Sequence, residues 1–147
     1  MPTTIVRYAT PNDAPALLEL YRQLSDRSPL PTLDETVAVI DEMATHPGLH
    51  LLVAEIEGEV AGTATIAVIP SITHLAKPWA QIENVVVLDA YRRRGVGKAL
   101  MDRCADITRA AGGYKMQLIS SDVRREAHAF YLAAGFEDEF RGFRMYF

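Results

Sequence analysis

The run Val85-Val86-Val87-Leu88-Asp89-Ala90-Tyr91-Arg92-Arg93-Arg94-Gly95-Val96-Gly97-Lys98 carries an apolar strand through a basic glycine turn into a helix. Such a junction can hold an anion. The first N–H groups of a helix have no partner inside it and, with the helix dipole, present partial positive charge. Gly95 and Gly97 leave the backbone bare where a ligand would touch it, and Arg92, Arg93, Arg94 and Lys98 add full charge around it. A phosphate or pyrophosphate is the natural guest. The junction is not a dinucleotide fingerprint, which would need a third glycine where Leu100 stands. Nor is it a P-loop, which needs four residues between glycines and then Lys-Ser/Thr.

Four further residues are candidates for chemistry. Tyr131 shares a helical face with Ala127, Phe130 and Ala134, which by itself makes it an amphipathic core residue with its hydroxyl at the edge. Glu83 precedes Val85 by two residues, and in a regular pleated strand it points to the same face as Val85 and Val87. By itself it reads as a solvated or salt-bridged strand residue. His74 and Trp79, with Lys77, lie in a connector at 70–80 that is too apolar for idle surface, so they are expected to help cover a small pocket that a second subunit could complete. Each of the two charged residues in it also reads as ordinary surface charge, as does His128. Cys104, the one cysteine, falls on an apolar helix face and reads as a buried thiol. The four histidines show no metal-ligand spacing, so no metal site is expected.

The elements that must position these residues follow from periodicity and breakers. Strands are expected at 5–9, 49–57, 59–69, 81–88, 114–120, 136–140 and 143–147. Helices are expected after Thr10-Pro11, at 33–45, at 95–111 and at 124–134. Gly58 joins two strands as a hairpin, and Gly112-Gly113 and Gly135 stop helices. The order β-α-α-β-β-β-α-β-α-β-β implies a mixed sheet flanked by helices, an α/β (mixed α+β) fold in one domain spanning 1–147.

Composition narrows the class. The chain has 147 residues, 49% hydrophobic and 23% charged, which suits one ordinary globular core. Its net charge of −4 argues against a nucleic-acid partner, since basic charge clusters only locally, at Arg92–Arg94 and Arg124-Arg125. No apolar run approaches the ~20 residues of a membrane span, and Met1-Pro2-Thr3-Thr4 does not read as a signal peptide, so a cytoplasmic protein is expected.

Two motifs and the element order together resemble the GNAT acetyltransferase family. The first is Arg92-x-x-Gly95-x-Gly97 after the apolar strand. The second is Ala127-His128-Ala129-Phe130-Tyr131-Leu132-Ala133-Ala134-Gly135-Phe136, similar to the family's Ala-x-x-Phe-Tyr-x-x-x-Gly-Phe. The resemblance covers nearly the whole chain. It implies that the turn residues Arg92, Arg93, Arg94, Gly95, Val96, Gly97 and Lys98 hold the pyrophosphate of acetyl-CoA. It further implies that two central parallel strands splay apart, that Val85, Val86 and Val87 line the pantetheine arm in the gap, and that a β-bulge in that strand frees a backbone donor for the oxyanion.

The resemblance also assigns roles. Tyr131 would protonate the departing thiolate, and Glu83 would be the base, because acids in this stretch sit near the reaction centre in members that read Ile-Glu-Asp. Here Asn84 stands in place of the aspartate. Freeing a lysine-like amine at pH 7 costs about 4 to 5 kcal/mol, so a base or a desolvated pocket is needed. The stretch Gln81-Ile82-Glu83-Asn84-Val85-Val86-Val87 resembles glucosamine-6-phosphate acetyltransferases, and Ala127-His128-Ala129-Phe130-Tyr131-Leu132 resembles aminoalkylphosphonate acetyltransferases. The implied activity is direct acetyl transfer from acetyl-CoA to a small primary amine. Two alternatives stay open: a protein or peptide amine as acceptor, and a non-catalytic acyl-CoA binding module. A homodimer is compatible with all three.

Overall fold

In the computed structural model, residues 2–25 and 27–147 are described. Five strands form one sheet in the order β1-β2-β3-β4-β5: Thr4–Tyr8, Leu49–Ile56, Glu59–Ile69, Trp79–Val87 and Met116–Gln117. The first four pair antiparallel, and β4 and β5 pair parallel. Five α-helical segments join or cover them: α1 (Ala14–Leu24), α2 (Leu33–Thr45), the four-residue turn α3 (Thr73–Ala76), α4 (Val96–Ala110) and α5 (Arg125–Ala133). This is a single-domain α/β fold with a mixed sheet flanked by helices.

Local signals place several elements where they stand. Thr32 caps α2 by accepting from the Glu35 N–H, while the Glu35 carboxylate accepts from the Thr32 N–H, a reciprocal box that holds the first turn. Glu57 (φ 52°) and Gly58 (φ 83°) give the β2–β3 hairpin two successive left-handed residues, which match the twist of the strands they join. After Thr10, the chain makes a 3-10 turn over Pro11–Asp13 before α1 proper begins at Ala14. Asp13 accepts from both terminal nitrogens of Arg7 at 2.8 and 2.9 Å and from the Thr10 N–H at 2.7 Å. Arg7 also pairs with Glu55, so one guanidinium ties β1, β2 and the start of α1 together.

The sheet separates two cores. On one face Leu52, Ala54, Ile56, Ala64, Ile66 and Ile82 meet Val96, Leu100, Cys104 and Ile107 of α4. On the other, Leu51 and Val53 meet Ala14 and Leu17 of α1 and Ile40 of α2. Alternate residues of β2 serve opposite cores, as strand pleating requires.

Three expectations need correction. The strand expected at 114–120 contracts to Met116–Gln117, because β5 pairs with β4 only through Ala80↔Met116 and Gln81↔Gln117 before the two part. The strands expected at 136–140 and 143–147 are absent; no neighbouring strand meets them, and an extended segment without a partner makes no ladder. The connector 70–80 is not all loop, since Trp79 already begins β4. His74, Leu75 and Ala76 make a left-handed turn before it, with φ of 55°, 61° and 61°.

Candidate functional site

Glu83 and Val86 in β4 pair with Thr65 and Thr63 in β3, so two residues, Asn84 and Val85, oppose the single residue Ala64. This is a β-bulge, in the strand where the sequence led one to expect it. Asn84 adopts φ 54°, a left-handed conformation that asparagine tolerates far better than a β-branched residue. Two backbone units facing one cannot both enter the ladder with β3. A donor for an oxyanion can therefore come from this point.

The bulge also resets which way side chains face. Ala80 and Ile82 before it, and Val85 and Val87 after it, all pack with the α4 core. Glu83 and Val86 pair with Thr65 and Thr63, the two threonines whose side chains lie near Tyr21 of α1. The expectation that Glu83 shares a face with Val85 and Val87 is thus wrong. The inserted residue inverts the alternation, and Glu83 lies exposed on the α1 face.

A chain of side chains leads to Glu83. Gln117 of β5 donates to the Gln81 side-chain oxygen at 3.1 Å, and the Gln81 amide donates to the Glu83 carboxylate at 3.1 Å. Sequence reasoning passed over both glutamines. Gln81 stands at i−2 from Glu83 on a strand, which could have flagged it, but Gln117 joins only through the parallel register.

Tyr131 is on the other side. It packs against the α4 core with Phe136 edge-on at 5.6 Å and Phe130 at 5.2 Å. Burial raises its pKa above the ordinary phenol value, against the pull of the Arg124 charge, so the hydroxyl keeps its proton through neutral pH. No hydrogen-bond partner for that hydroxyl is found among the described residues. Between the two faces lies the outer edge of β4, which has no strand partner beyond Gln81.

At the C-terminal end of β4, Leu88 donates to Ala61 in β3 at 2.8 Å, so by antiparallel alternation Val87 turns its own carbonyl to the outer edge. Gln23 of α1 donates to that carbonyl at 2.8 Å and accepts from the Asp89 N–H at 3.0 Å. Nearby, Arg124 donates to the Leu24 carbonyl at 2.8 Å. These two staples fix the end of α1 to β4 and α5. Neither Gln23 nor Arg124 was singled out from sequence, because each acts on a backbone carbonyl that only the fold brings near.

Gly95 stands at the N-cap of α4, with φ 79° and no side-chain cap. Its carbonyl accepts from Ala99 at 3.0 Å, while the N–H groups of Val96, Gly97 and Lys98 precede the first residue that helical bonding can satisfy. A Cβ at Gly95 would meet nothing within 4 Å. Gly97 differs. A Cβ there would come within 3.1 Å of the Phe130 ring, so its bare face seats α4 on α5 instead of lying open to a ligand.

The basic residues are not equivalent either. Arg92 pairs with Asp89 at 3.0 Å, Lys98 with Asp102 at 2.6 Å, and Arg94 lies over the Tyr91 ring. Arg93 is exposed, at φ 61°, with no acidic partner among the described residues. An uncapped helix start with one free guanidinium and three partly engaged cations fits a pyrophosphate.

His74 and Trp79 are not brought to this place. His74 stacks on Tyr114 at 3.8 Å, and Lys115 lies over the Trp79 ring at 5.2 Å. Trp79 stands six strand residues before Val85, about 20 Å at ~3.3 Å per residue. Nor does their connector bury its own apolar residues: Ile72 and Leu75 are 94% and 93% exposed. Cys104 is buried, and burial pushes its thiol up to about 12. It therefore supplies no nucleophile near neutral pH. Among the described residues no cluster of three metal-ligating side chains occurs, and no helix is long and apolar enough to cross a membrane.

Residues 16–136 match the acetyltransferase (GNAT) family. The chain belongs to that family. It is an acetyl-CoA-dependent N-acetyltransferase, with the basic glycine turn and the open edge of β4 as the features that suit the co-substrate. It is 30% identical to the glucosamine 6-phosphate N-acetyltransferase of Trypanosoma brucei brucei over 142 residues, covering 95% of this chain and 93% of that one. To the aminoalkylphosphonate N-acetyltransferase of Salmonella typhimurium it is 29% identical, covering 93% and 87%. A solved acetyltransferase structure from Agrobacterium tumefaciens strain C58 superposes with a TM-score of 0.90 at 38% identity, covering 97% of this chain and 99% of that one.

Proposed function

We propose that this acetyltransferase acts directly on the primary amine of a small molecule, an amino sugar phosphate, an aminoalkylphosphonate or a related amine. The observation that carries the reading is the placement of Glu83 and Tyr131 on opposite faces of the sheet, on either side of the unpaired edge of β4. An amine attacking a thioester enters on one side of the carbonyl carbon, and the sulfur departs from the tetrahedral intermediate on another. A carboxylate on the entering side accepts the ammonium proton, directly or through water, and a protonated phenol on the far side gives a proton to the thiolate. The balance is complete: a C–N bond forms, the C–S bond breaks, and CoA leaves as the thiol. No covalent enzyme intermediate is invoked, in keeping with the buried Cys104.

The turn Arg92–Lys98 would hold the pyrophosphate in this reading, with Arg93 as its freest cation, and the backbone of Val85, Val86 and Val87 would line the arm. A small acceptor carrying a phosphate or phosphonate is favoured by the two relatives named above. His74 and Trp79 receive no part in the chain's own site. A cytoplasmic homodimer suits the reading, since the exposed connector is left for another surface to cover.

Release of free thiol from acetyl-CoA, measured across glucosamine 6-phosphate, aminoalkylphosphonates, unphosphorylated amines and peptides, tests it. Turnover fastest with a small amine that carries a phosphate or phosphonate is expected. Preference for peptides would overturn the acceptor class, and absence of thiol release with every amine would reduce the chain to an acyl-CoA binder.

A further inference from the structure

Glu83 is exposed at the end of the regular part of β4, and among the described residues it makes no salt bridge. A glutamate so placed has several rotatable bonds and no charge to hold it. One side chain reaches it: Gln81 Nε2 donates to Glu83 Oε1 at 3.1 Å. The register Gln81↔Ala67, Ile82↔Ile66, Glu83↔Thr65 is unbroken up to that point, so the two side chains stand on one face of the strand. Gln81 is itself fixed. Its Oε1 accepts from Gln117 Nε2 at 3.1 Å, and its Nε2 also donates to the Ile82 carbonyl at 3.4 Å. Both ends of this amide are therefore committed, the oxygen toward β5 and the nitrogen toward Glu83. Gln117 can reach it because Gln81↔Gln117 is the last pair of the parallel ladder, where β4 and β5 part.

We propose that Gln81 is a positioning residue for the acetyl transfer, braced by Gln117, and that the two amides orient the Glu83 carboxylate toward the incoming amine. The inference rests on the reading of Glu83 as the group that takes the amine proton. Polarity carries it. A side-chain amide offers donors at one end and an acceptor at the other, so a donor at position 117 turns the Gln81 oxygen toward β5 and leaves its N–H for Glu83. An acceptor-only side chain at 117 would turn Gln81 round and set oxygen against oxygen. The N–H to carboxylate bond is charge-assisted, roughly twice as strong as a neutral one. With Oε1 engaged, Oε2, which has no hydrogen-bond partner among the described residues, is the oxygen that receives the proton. The step balances: the ammonium loses one proton, Oε2 gains it, and the nitrogen keeps the electron pair that attacks the thioester. A base in reach but free to turn loses rate through misplacement, and the two amides prevent that loss.

Gln81→Leu, Gln117→Leu and Gln117→Glu, each made in the parent and in the Glu83→Gln background, test the proposal. Steady-state kinetics use acetyl-CoA and the fastest acceptor among glucosamine 6-phosphate, aminoalkylphosphonates, unphosphorylated amines and peptides, with thermal melts to confirm folding. In the parent, kcat should fall about tenfold for Gln81→Leu and about threefold for both Gln117 variants, with KM for each substrate within about twofold. Gln117→Glu keeps the parent's shape, so a role in packing alone would leave it near parental. In the Glu83→Gln background none of the three should cost more than about twofold, because a glutamine at 83 can meet either end of the Gln81 amide and takes no proton. The Gln117 variants, one side chain further from Glu83, keep the test open should Gln81→Leu fail to fold. Parental kcat in a folded Gln81→Leu, or in both Gln117 variants, beside an impaired Glu83→Gln, overturns the inference and leaves Glu83 as the base. Losses that persist undiminished in the Glu83→Gln background overturn it likewise, since the amides would then act elsewhere. Parental turnover in Glu83→Gln itself removes the reading of Glu83 as the base, and the inference with it.

Discussion

Glu83 and Val85 stand two residues apart in β4 yet face opposite sides of the sheet, because Asn84 between them holds φ 54° and adds a residue against Ala64 of β3. A strand without that insertion would put the carboxylate and the valine on one face. The insertion instead sends the carboxylate toward α1 while Val85 and Val87 stay with α4 and, through that core, with Tyr131. In the proposed reaction, proton acceptance and proton donation would thereby fall on the two sides of one strand.

Glu83→Gln keeps the shape and the hydrogen bond from Gln81 but cannot take the amine proton. We expect kcat to fall by about 10²-fold or more, with the acid limb of the pH–rate profile lost and acetyl-CoA affinity unchanged. Steady-state kinetics from pH 5.5 to 9 check this. An unchanged profile would give the role to water or to another group.

Tyr131→Phe removes a hydroxyl that has no partner in the fold among the described residues, so the melting temperature should stay within a degree or two. Turnover should nonetheless drop about 10²-fold with little change in acetyl-CoA affinity, the signature of an interaction made in the transition state. Because burial raises the phenol's pKa, the acid form persists above the ordinary phenol value and no loss of activity from its ionisation is expected below that value. Equal turnover in the variant would leave Tyr131 as core packing alone.

Arg93→Glu should weaken acetyl-CoA binding roughly tenfold to a hundredfold, the loss of a charge-assisted contact plus repulsion of the phosphates. Arg93 has no acidic partner to lose among the described residues, so stability should not change. Gly97→Glu is the less clean variant, since its side chain would also press on Phe130. Calorimetry with acetyl-CoA at low and high salt reads the effect, which should shrink as salt screens the site. Unaltered affinity at low salt would remove the turn from cofactor binding.

Asp13→Asn tests the tie between β1 and α1. Hydrogen bonds from Arg7 hold the Asp13 carboxyl below the usual carboxylate range, so its contribution is fully present above the unfolded value near 3.8 and is lost as pH falls through the folded value. The variant should lose about 1–3 kcal/mol at pH 7 and differ less from the parent below about pH 3. Urea unfolding at both pH values measures the difference. Equal destabilisation at both would point to shape and not charge.

What the amino-acid order determined by itself was local. The helix at Leu33–Thr45 and the strand at Glu59–Ile69 stand where periodicity and breakers put them, and the basic turn at Arg92–Gly97 is legible because a glycine helix start and its charges are neighbours in sequence. What the tertiary structure decided depends on partners far along the chain. The face of Glu83 follows from the register of β4 against β3, which no spacing within 81–88 reveals. Gln23 and Arg124 matter through carbonyls 64 and 100 residues away. His74 precedes β4 and Trp79 opens it, so both sit at the end far from Val85, because a strand spends its residues on length. The segments at 136–140 and 143–147 carry strand-like patterns yet form no strand, since a ladder needs hydrogen-bonding groups on a second chain segment and this fold places none beside them.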